Sequence, residues 1–457
     1  GAGVFAAPVQ YGLSGKPVFF ECSDLDGDGA ADLVVTGEGD YPTYYGYISI
    51  AYNVGDGAFT AGVSGRTADG PRGIAVDDVN GDSFPDIAVA NEYSGRLSVH
   101  LNDGAGGFLP RREYGVGLQA YAVALGDFDG HDGPDLVVAS RGSSFVWILH
   151  NEGDGSFRNI ESHGVGYEPE SIVTADISGD GALDIIIAAS GVYTLINEGD
   201  GTFGMAERVS NWDERGVAAA DFDQNGWIDI VGARTDDGWL VVLPNEGDGE
   251  FGTPVYCQVG DDPVALAVGD INGDGAVDIA VANNSSHDVS VLLNNGNGTF
   301  AEETRYLVGV FPWSIALADL NDDSWLDLAV GLSKYDSIKV SLNDGTGGFA
   351  DGVDYPTGDR PMALAAGDLD RDGQEDLVVA NHGGDSVWSI LSRCVGPCPG
   401  DVDGDGDTDQ SDLGLLLASY ELPPDAPFYD PRADLDGDGE VGQPDLGLLL
   451  ADYECGT

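Results

Sequence analysis

The sequence predicts a mainly β chain, an eight-bladed β-propeller closed by its own N-terminal strand, followed by a small α-helical C-terminal domain. Three observations carry this. An acidic nine-residue motif recurs through residues 1–392, a glycine turn recurs in step with it, and a different acidic motif with apolar flanks stands twice in residues 401–457. Residues 393–400, rich in Pro, Gly and Cys, read as a linker.

The first motif, Asp-x-(Asp/Asn)-x-Asp-Gly-x-x-Asp, begins at Asp24, Asp78, Asp127, Asp176, Asp221, Asp270, Asp319 and Asp368, in steps of 54, 49, 49, 45, 49, 49 and 49 residues. A period near 49 lies in the propeller range. In each unit an apolar run precedes the motif (Ala265–Val268) and a β-branched run follows it (Asp184–Ile187). A third run (Val289–Leu293), an Asn-x-Gly-x-Gly-x-Phe turn and a more polar run (Phe108–Tyr114) complete the unit. That is four short strands joined by glycine turns. No sustained 3.6-residue apolar period occurs before residue 409, which argues against a helical solenoid.

The turn starts at Asn53, Asn102, Asn151, Asn197, Asn245, Asn294 and Asn343. Its eighth copy is split: Gly1–Phe5 supplies the second half, and the last unit reaches Ser392 where the Asn would stand. The strand near Phe5–Tyr11 is therefore expected as the outermost strand of the last blade, leaving no free edge at the closure.

Eighty acidic against 18 basic residues give a formal charge of −62, which excludes nucleic-acid binding and attraction to anionic membranes. An apolar content of 42% excludes disorder. No apolar run is long enough to cross a membrane.

Oxygen-bearing side chains at positions 1, 3, 5 and 9 with Gly at 6 describe a site for a hard cation; calcium takes about 6–8 oxygen ligands. The candidate ligands are Asp24, Asp26, Asp28 and Asp32; Asp78, Asn80, Asp82 and Asp86; Asp127, Asp129 and Asp135; and Asp176, Ser178, Asp180 and Asp184. The second half of the ring adds Asp221, Asp223, Asn225 and Asp229; Asp270, Asn272, Asp274 and Asp278; Asp319, Asn321, Asp323 and Asp327; and Asp368, Asp370, Asp372 and Asp376. Ser83 and Ser324 stand at position 6 in loops two and seven. Loop three departs most, with His131 at position 5 and Asp132 at 6, and is expected to be the weakest or empty. These loops resemble the FG-GAP or VCBS repeats of integrin α-chain heads over about residues 1–392. The resemblance implies a mostly structural calcium ion between the first two strands of a blade.

After the linker, Asp401, Asp403, Asp405, Asp407 and Asp412 fall at positions 1, 3, 5, 7 and 12 of one loop, and Asp434, Asp436, Asp438, Glu440 and Asp445 at the same positions of another. Each is followed by an apolar segment, Leu413–Tyr420 or Leu446–Tyr453. This is EF-hand spacing with Asp at 12, and it brings the expected total to about ten calcium ions at most. The doubled unit resembles a type I dockerin. That likeness implies docking to a cohesin-like partner through Gln410, Ser411, Gln443 and Pro444. Cys398 and Cys455 flank the pair, and a disulfide between them, with an oxidising extracellular setting, is expected. Cys22 is expected in the core; Cys257 takes a position held elsewhere by Tyr, and Cys394 lies in the linker. With no signal peptide and a start at Gly1, the chain reads as a processed secreted protein.

Six units carry Pro seven residues before the acidic loop, and the next position varies: Val18, Arg72, Tyr121, Glu170, Arg215, Val264, Trp313 and Met362. A fixed scaffold with one variable position is how a propeller builds a ligand face, and Tyr121 and Trp313 are its candidates; drift at a tolerant position is the alternative. Tyr44 and Tyr45, with Tyr41 and Tyr47, make a second candidate surface for a sugar or a subunit. Phe84, Trp227 and Trp325 at loop position 7 either face outward or pack between blades. Sequons at Asn283, Asn284 and Asn297 permit glycosylation.

The six histidines form no ligand spacing, and no nucleophile elbow or zinc motif occurs. The expected function is a secreted, non-enzymatic calcium-stabilised scaffold or adhesion protein that attaches through its C-terminal domain. Two alternatives stand beside it. One is a subunit that docks on further copies of itself in a filament or surface layer. The other is a carbohydrate-binding protein or polysaccharide lyase, since rhamnogalacturonan lyases are similar in outline.

Overall fold

The computed structural model describes residues 5–392, except 7, 40–44, 56, 236 and 248, and then residues 402, 410–420, 422, 431–435 and 441–451. Eight four-stranded antiparallel sheets form the ring, each built from strands consecutive in sequence except the last. Blade 2 shows the pattern: Pro71–Asp77, Asp86–Asn91, Arg96–His100 and Arg112–Gly115, with the acidic loop between the first two strands. First strands of successive blades touch and so line the axis. Lys16–Ser23 of blade 1 meets Pro361–Gly367 of blade 8 and closes the circle.

Both faces of a blade are covered, because each blade is flanked by two others. The second strands of blades 2 to 8 are therefore buried along their whole length. Core clusters straddle the seams: Ile177 and Ile186 of blade 4 pack with Val241 and Leu243 of blade 5. Blade 4 is the short one: most of what it lacks comes from the hairpin between its second and third strands, Asp184–Ala189 and Gly191–Leu195, which are joined through Ser190 alone, and its outermost strand is only Glu207–Arg208.

The closure follows the sequence expectation. Val9–Gly12 is the outermost strand of blade 8, with Tyr11 opposite Val387. Phe5 bridges Ser392, and Ala6 N–H donates to the Leu391 carbonyl at 2.8 Å.

The C-terminal region holds two α-helices, Gln410–Ser419 and Gln443–Ala451, and a short 3-10 turn, Pro431–Ala433. Val402, Leu416, Ala433, Val441 and Leu449 form one small core from both halves. Asp412 and Asp445, each at position 12 of its motif, are buried and accept from the position-2 amides of Val402 and Leu435 at 2.7 Å. The motif residues Asp401, Asp403, Asp405, Asp407, Asp436, Asp438 and Glu440 lie outside the described residues, as do Cys394, Cys398 and Cys455. Among the described residues no disulfide forms, and Cys22 and Cys257 are free thiols. Cys22 corrects an expectation: it is solvent-exposed on an innermost strand, although protein crowding and the charge of Glu21 push its thiol up to about 12. Cys257 is buried at a blade seam.

Candidate functional site

The ninth-position Asp organises the acidic end of every blade. Asp32, Asp86, Asp135, Asp184, Asp229, Asp278, Asp327 and Asp376 are all at most 1% exposed. One carboxylate oxygen of each accepts the backbone N–H of position 2 at 2.8–3.2 Å. The other accepts the backbone N–H of the turn Asn, or of Ser392, at 2.6–2.8 Å. This residue ties the acidic loop to the glycine turn of its own blade. Burial raises the carboxyl of Asp86 to about 7 and that of Asp229 to about 6, even though the backbone bonds pull the other way.

The first-position Asp shapes the loop. In seven loops it accepts the N–H of position 6, as Asp24 does from Gly29 at 2.9 Å and Asp78 from Ser83 at 2.7 Å. Position 6 takes a left-handed φ, +89° at Gly29 and still +72° at Ser83 and +69° at Ser324. The serines thus adopt the turn that glycine enters more readily.

Carboxylates of Asp24, Asp26 and Asp32, of Asp221, Asp223 and Asp229, and of Asp368, Asp370 and Asp376 converge with their nearest oxygens within 4.8 Å of one another. An all-oxygen set at that spacing fits a hard divalent cation such as calcium, whose charge offsets the mutual repulsion. In loops two, six and seven the first and third positions share the amide of the fifth: Asp78 and Asn80 both receive Asp82 N–H, Asp270 and Asn272 both receive Asp274 N–H, and Asp319 and Asn321 both receive Asp323 N–H.

Loop three differs. No bond from Asp132 N–H to Asp127 forms among the described residues, and the His131 ring turns back onto the Asp129 carbonyl at 2.6 Å. A second histidine corrects the sequence reading that found no ligand spacing. His150 Nδ1 stands 3.8 Å from Asp129 and 3.6 Å from Asp135, and these three form a mixed nitrogen and oxygen cluster. His150 immediately precedes Asn151, whose amide is bound by Asp135, so the ninth-position pairing carries the imidazole into the loop.

The turn Asn reaches farther than a turn residue needs to. Its side-chain amide donates to the position-2 carbonyl of the preceding blade: Asn102 to Leu25 at 2.8 Å, Asn245 to Ile177 at 2.7 Å, and Asn53 to Leu369 at 2.6 Å. Asn151, Asn197, Asn294 and Asn343 do the same. Each also donates to the position-8 carbonyl of its own loop and accepts from the turn Gly, so its amide is fully used. Position-7 aromatics fill the same seams. A side chain at Gly179 or Gly247 would meet the Trp227 ring, and one at Gly273 or Gly345 the Trp325 ring, so these rings pack between blades.

The opposite end of the first strands holds the variable ring. In seven blades the strand register shifts there, as between Pro312 and Ser314 or Ala120 and Ala122, so the variable residue is the bulged one. A bulge re-aims a side chain out of the ladder. Tyr121, Glu170, Arg215, Val264, Trp313 and Met362 line one pocket of about 440 Å³. Arg141, from a second-strand end, joins it, 2.9 Å from Glu170 with its guanidinium 5.6 Å from the centre of the Tyr121 ring. Arg215 lies 4.0 Å from Glu170. Burial raises the Glu170 carboxyl against the pull of Arg141 and Arg215, and it raises the Tyr121 phenol as well. Arg72 pairs with Glu92 at 2.7 Å, and Val18 is buried. Tyr45 is 40% exposed beneath Arg66, 4.3 Å from its ring centre, and Tyr44 lies outside the described residues. Gln410, Ser411 and Gln443 are exposed, and the side chain of Pro444 lies outside the described residues.

The FG-GAP-like repeat profile matches residues 24–89, 78–138, 127–187, 179–232, 221–281, 270–330 and 319–379. The chain belongs to the FG-GAP-like repeat family. Its calcium-type loops are those of the repeats, and the match ends at residue 379. No curated protein matches the chain. Among solved structures, BBS1N in complex with ARL6DN is 15% identical with a TM-score of 0.51, covering 86% of this chain and 98% of that one. A putative 6-phosphogluconolactonase of Bacteroides fragilis is 13% identical with a TM-score of 0.51, covering 75% and 99%. A lectin of Agrocybe aegerita that recognises non-reducing terminal N-acetylglucosamine is 21% identical with a TM-score of 0.44, covering 81% and 86%. At these identities the likeness to the first two shows the fold alone. Among the described residues no helix is long and apolar enough to cross a membrane.

Proposed function

We propose that this FG-GAP propeller is a non-enzymatic, extracellular carbohydrate-binding protein whose calcium loops hold the ring rigid and whose channel mouth takes an acidic sugar. The observation that carries it is the convergence of six variable ring residues on one pocket with a half-exposed Trp313 and the Arg141–Glu170–Arg215 cluster. An exposed indole stacks on the apolar face of a sugar ring, planar guanidinium groups grip a carboxylate in two places, and Glu170 accepts from hydroxyls. Arg141 bridges Glu168 at 3.2 Å and Glu170 at 2.9 Å, and Arg215 stands 4.0 Å from Glu170, so the mouth sets two guanidinium groups among carboxylates in a chain of charge −62, and an acidic sugar would be received by exchanging its carboxylate for one of these partners. Burial raises the Tyr121 phenol rather than lowering it, so that group is not prepared as a base for elimination. Up to about ten calcium ions would be held, and the C-terminal helix pair would serve attachment.

Calorimetric titration with uronic-acid oligosaccharides tests the reading. Saturable binding abolished by Trp313→Ala is expected. An equal affinity in wild type and variant overturns it, and release of unsaturated sugars assigns a lyase instead.

A further inference from the structure

The outermost strand of each blade carries one residue that faces the next blade. These are Gly65, Tyr114, His163, Val209, Cys257, Tyr306, Tyr355 and Tyr11, placed by their pairing with the third strand. The four tyrosines share one geometry. Each ring meets the Phe that ends the next blade's turn edge to face: Tyr11 on Phe59, Tyr114 on Phe157, Tyr306 on Phe349 and Tyr355 on Phe5, with centroids 5.2–5.8 Å apart and planes at 80–89°. In two of these seams the tyrosine hydroxyl also accepts the N–H of that Phe, at 3.1 Å from Phe157 and 3.3 Å from Phe349.

Blade 1 breaks the series with Gly65, and the place of the missing ring is open. A pocket of about 300 Å³ lies between blades 1 and 2, lined by Gly65, Ile48, Ile50, Ile87, Phe108 and His100, with Arg66 and Arg111 beside it. Phe108 is the turn Phe of blade 2, the counterpart of Phe157 in blade 3. A Cβ built on Gly65 meets nothing within 4 Å.

His100 marks the pocket as more than a packing gap. Sister blades place Ala51, Leu149, Leu195, Leu243, Leu292, Ser341 or Ile390 at its position, two residues before the turn Asn or, in blade 8, before Ser392. His100 is 7% exposed, and its Nε2 has no hydrogen-bond partner. Burial, and secondarily Arg111, lower its pKa to about 4, so the ring is neutral and offers a hydrogen bond inside an apolar space. Such a group is costly to bury unless something bonds to it. Two guanidinium groups stand at its rim: Arg66, stacked on Tyr45, carries a charge an anion would meet, and Arg111 is held in place by Glu113 at 2.8 Å and the Arg66 carbonyl at 2.7 Å.

We propose that the Gly65 seam binds a small 4-hydroxyphenyl carboxylate, its ring lying edge-on to Phe108 where four of the sister seams hold tyrosine. The hydroxyl points to the Phe108 amide, the counterpart of the Phe157 donor, and the carboxylate lies toward Arg66 and Arg111. His100 supplies a further hydrogen bond from the wall.

The full calcium-loaded chain titrated with 4-hydroxyphenylacetate, followed by calorimetry and ligand-observed NMR, tests this. Saturable millimolar or tighter binding is expected, with cyclohexylacetate at least tenfold weaker because it lacks both the ring edge and the hydroxyl. Gly65→Tyr fills the space from within; it should fold with a higher melting temperature and lose binding. His100→Leu, which restores the commonest residue of the sister blades, should fold and bind several-fold more weakly; it decides the matter if Gly65→Tyr is not soluble. Absence of saturable binding in wild type, or wild-type affinity in folded Gly65→Tyr or in His100→Leu, overturns the proposal. Trp313→Ala should leave this binding unchanged, which separates the seam from the channel mouth.

Discussion

The two ends of the first strands obey different rules. At the acidic end identity is repeated because each polar atom has a fixed backbone partner: the ninth-position Asp takes two amides in all eight blades, and the turn Asn ties seven blades to their neighbours. At the channel mouth the backbone is repeated, with the bulge in every blade but the fourth, while the variable side chain has no fixed backbone partner and ranges from Val18 to Trp313. Repetition marks groups that hold the ring together, and variation marks groups free to meet a ligand. Changes at the acidic end should therefore cost stability and spare binding, and changes at the mouth the reverse.

Metal removal is the strongest challenge to this contrast. Excess chelator leaves clusters such as Asp24, Asp26 and Asp32 uncompensated, and the melting temperature should fall by more than about 10 °C in scanning calorimetry. An unchanged curve would sink the cation reading of these loops.

Next in size is the clasp. Asn245→Ala strips partners from the Ile177 and Ile228 carbonyls and the Gly247 amide, and should cost about 3 kcal/mol in urea unfolding. Ser392→Ala should cost no more than about 1 kcal/mol, because Ser392 meets Asp376 through its backbone N–H. Equal losses would mean that the Asn bonds across the seam contribute nothing.

Glu214 tests the mouth end. It stands where six blades have Pro and is 1% exposed; burial raises its carboxyl from 4.5 to about 7, opposed by its bond from Ser210. A raised carboxyl favours the neutral acid when folded, so its contribution is complete below pH 4.5 and is lost as pH climbs to about 7. Glu214→Gln should flatten stability across that window and gain roughly 2–3 kcal/mol at pH 8 relative to wild type. Parallel profiles for the two proteins would contradict this.

The smallest effect belongs to Trp313→Ala. At 41% exposure its loss should move unfolding by no more than about 0.5 kcal/mol while removing ligand binding.

Much of this was legible in the sequence, and what was not has one cause. The eight blades, the closing strand and the convergence of the variable ring follow from counting repeats, because a repeat fixes equivalent positions in space. The reach of Asn245 was hidden because its partner, the Ile177 carbonyl, is backbone and carries no residue signature. His150 was hidden because only the Asp135–Asn151 pairing brings it beside Asp129. Both cases depend on contacts between segments that no local spacing connects.

The closing strand sets a timetable. Val9 pairs with Ser389, so the closing strand leaves a ribosome well before its partner, which is made roughly 380 residues later. At about 5–20 residues per second that is roughly 20–80 s during which the nascent ring has two exposed edges. Until then, each half-made ring presents an edge that the corresponding strand of another nascent chain could join, so crowding on one message favours mispairing between chains.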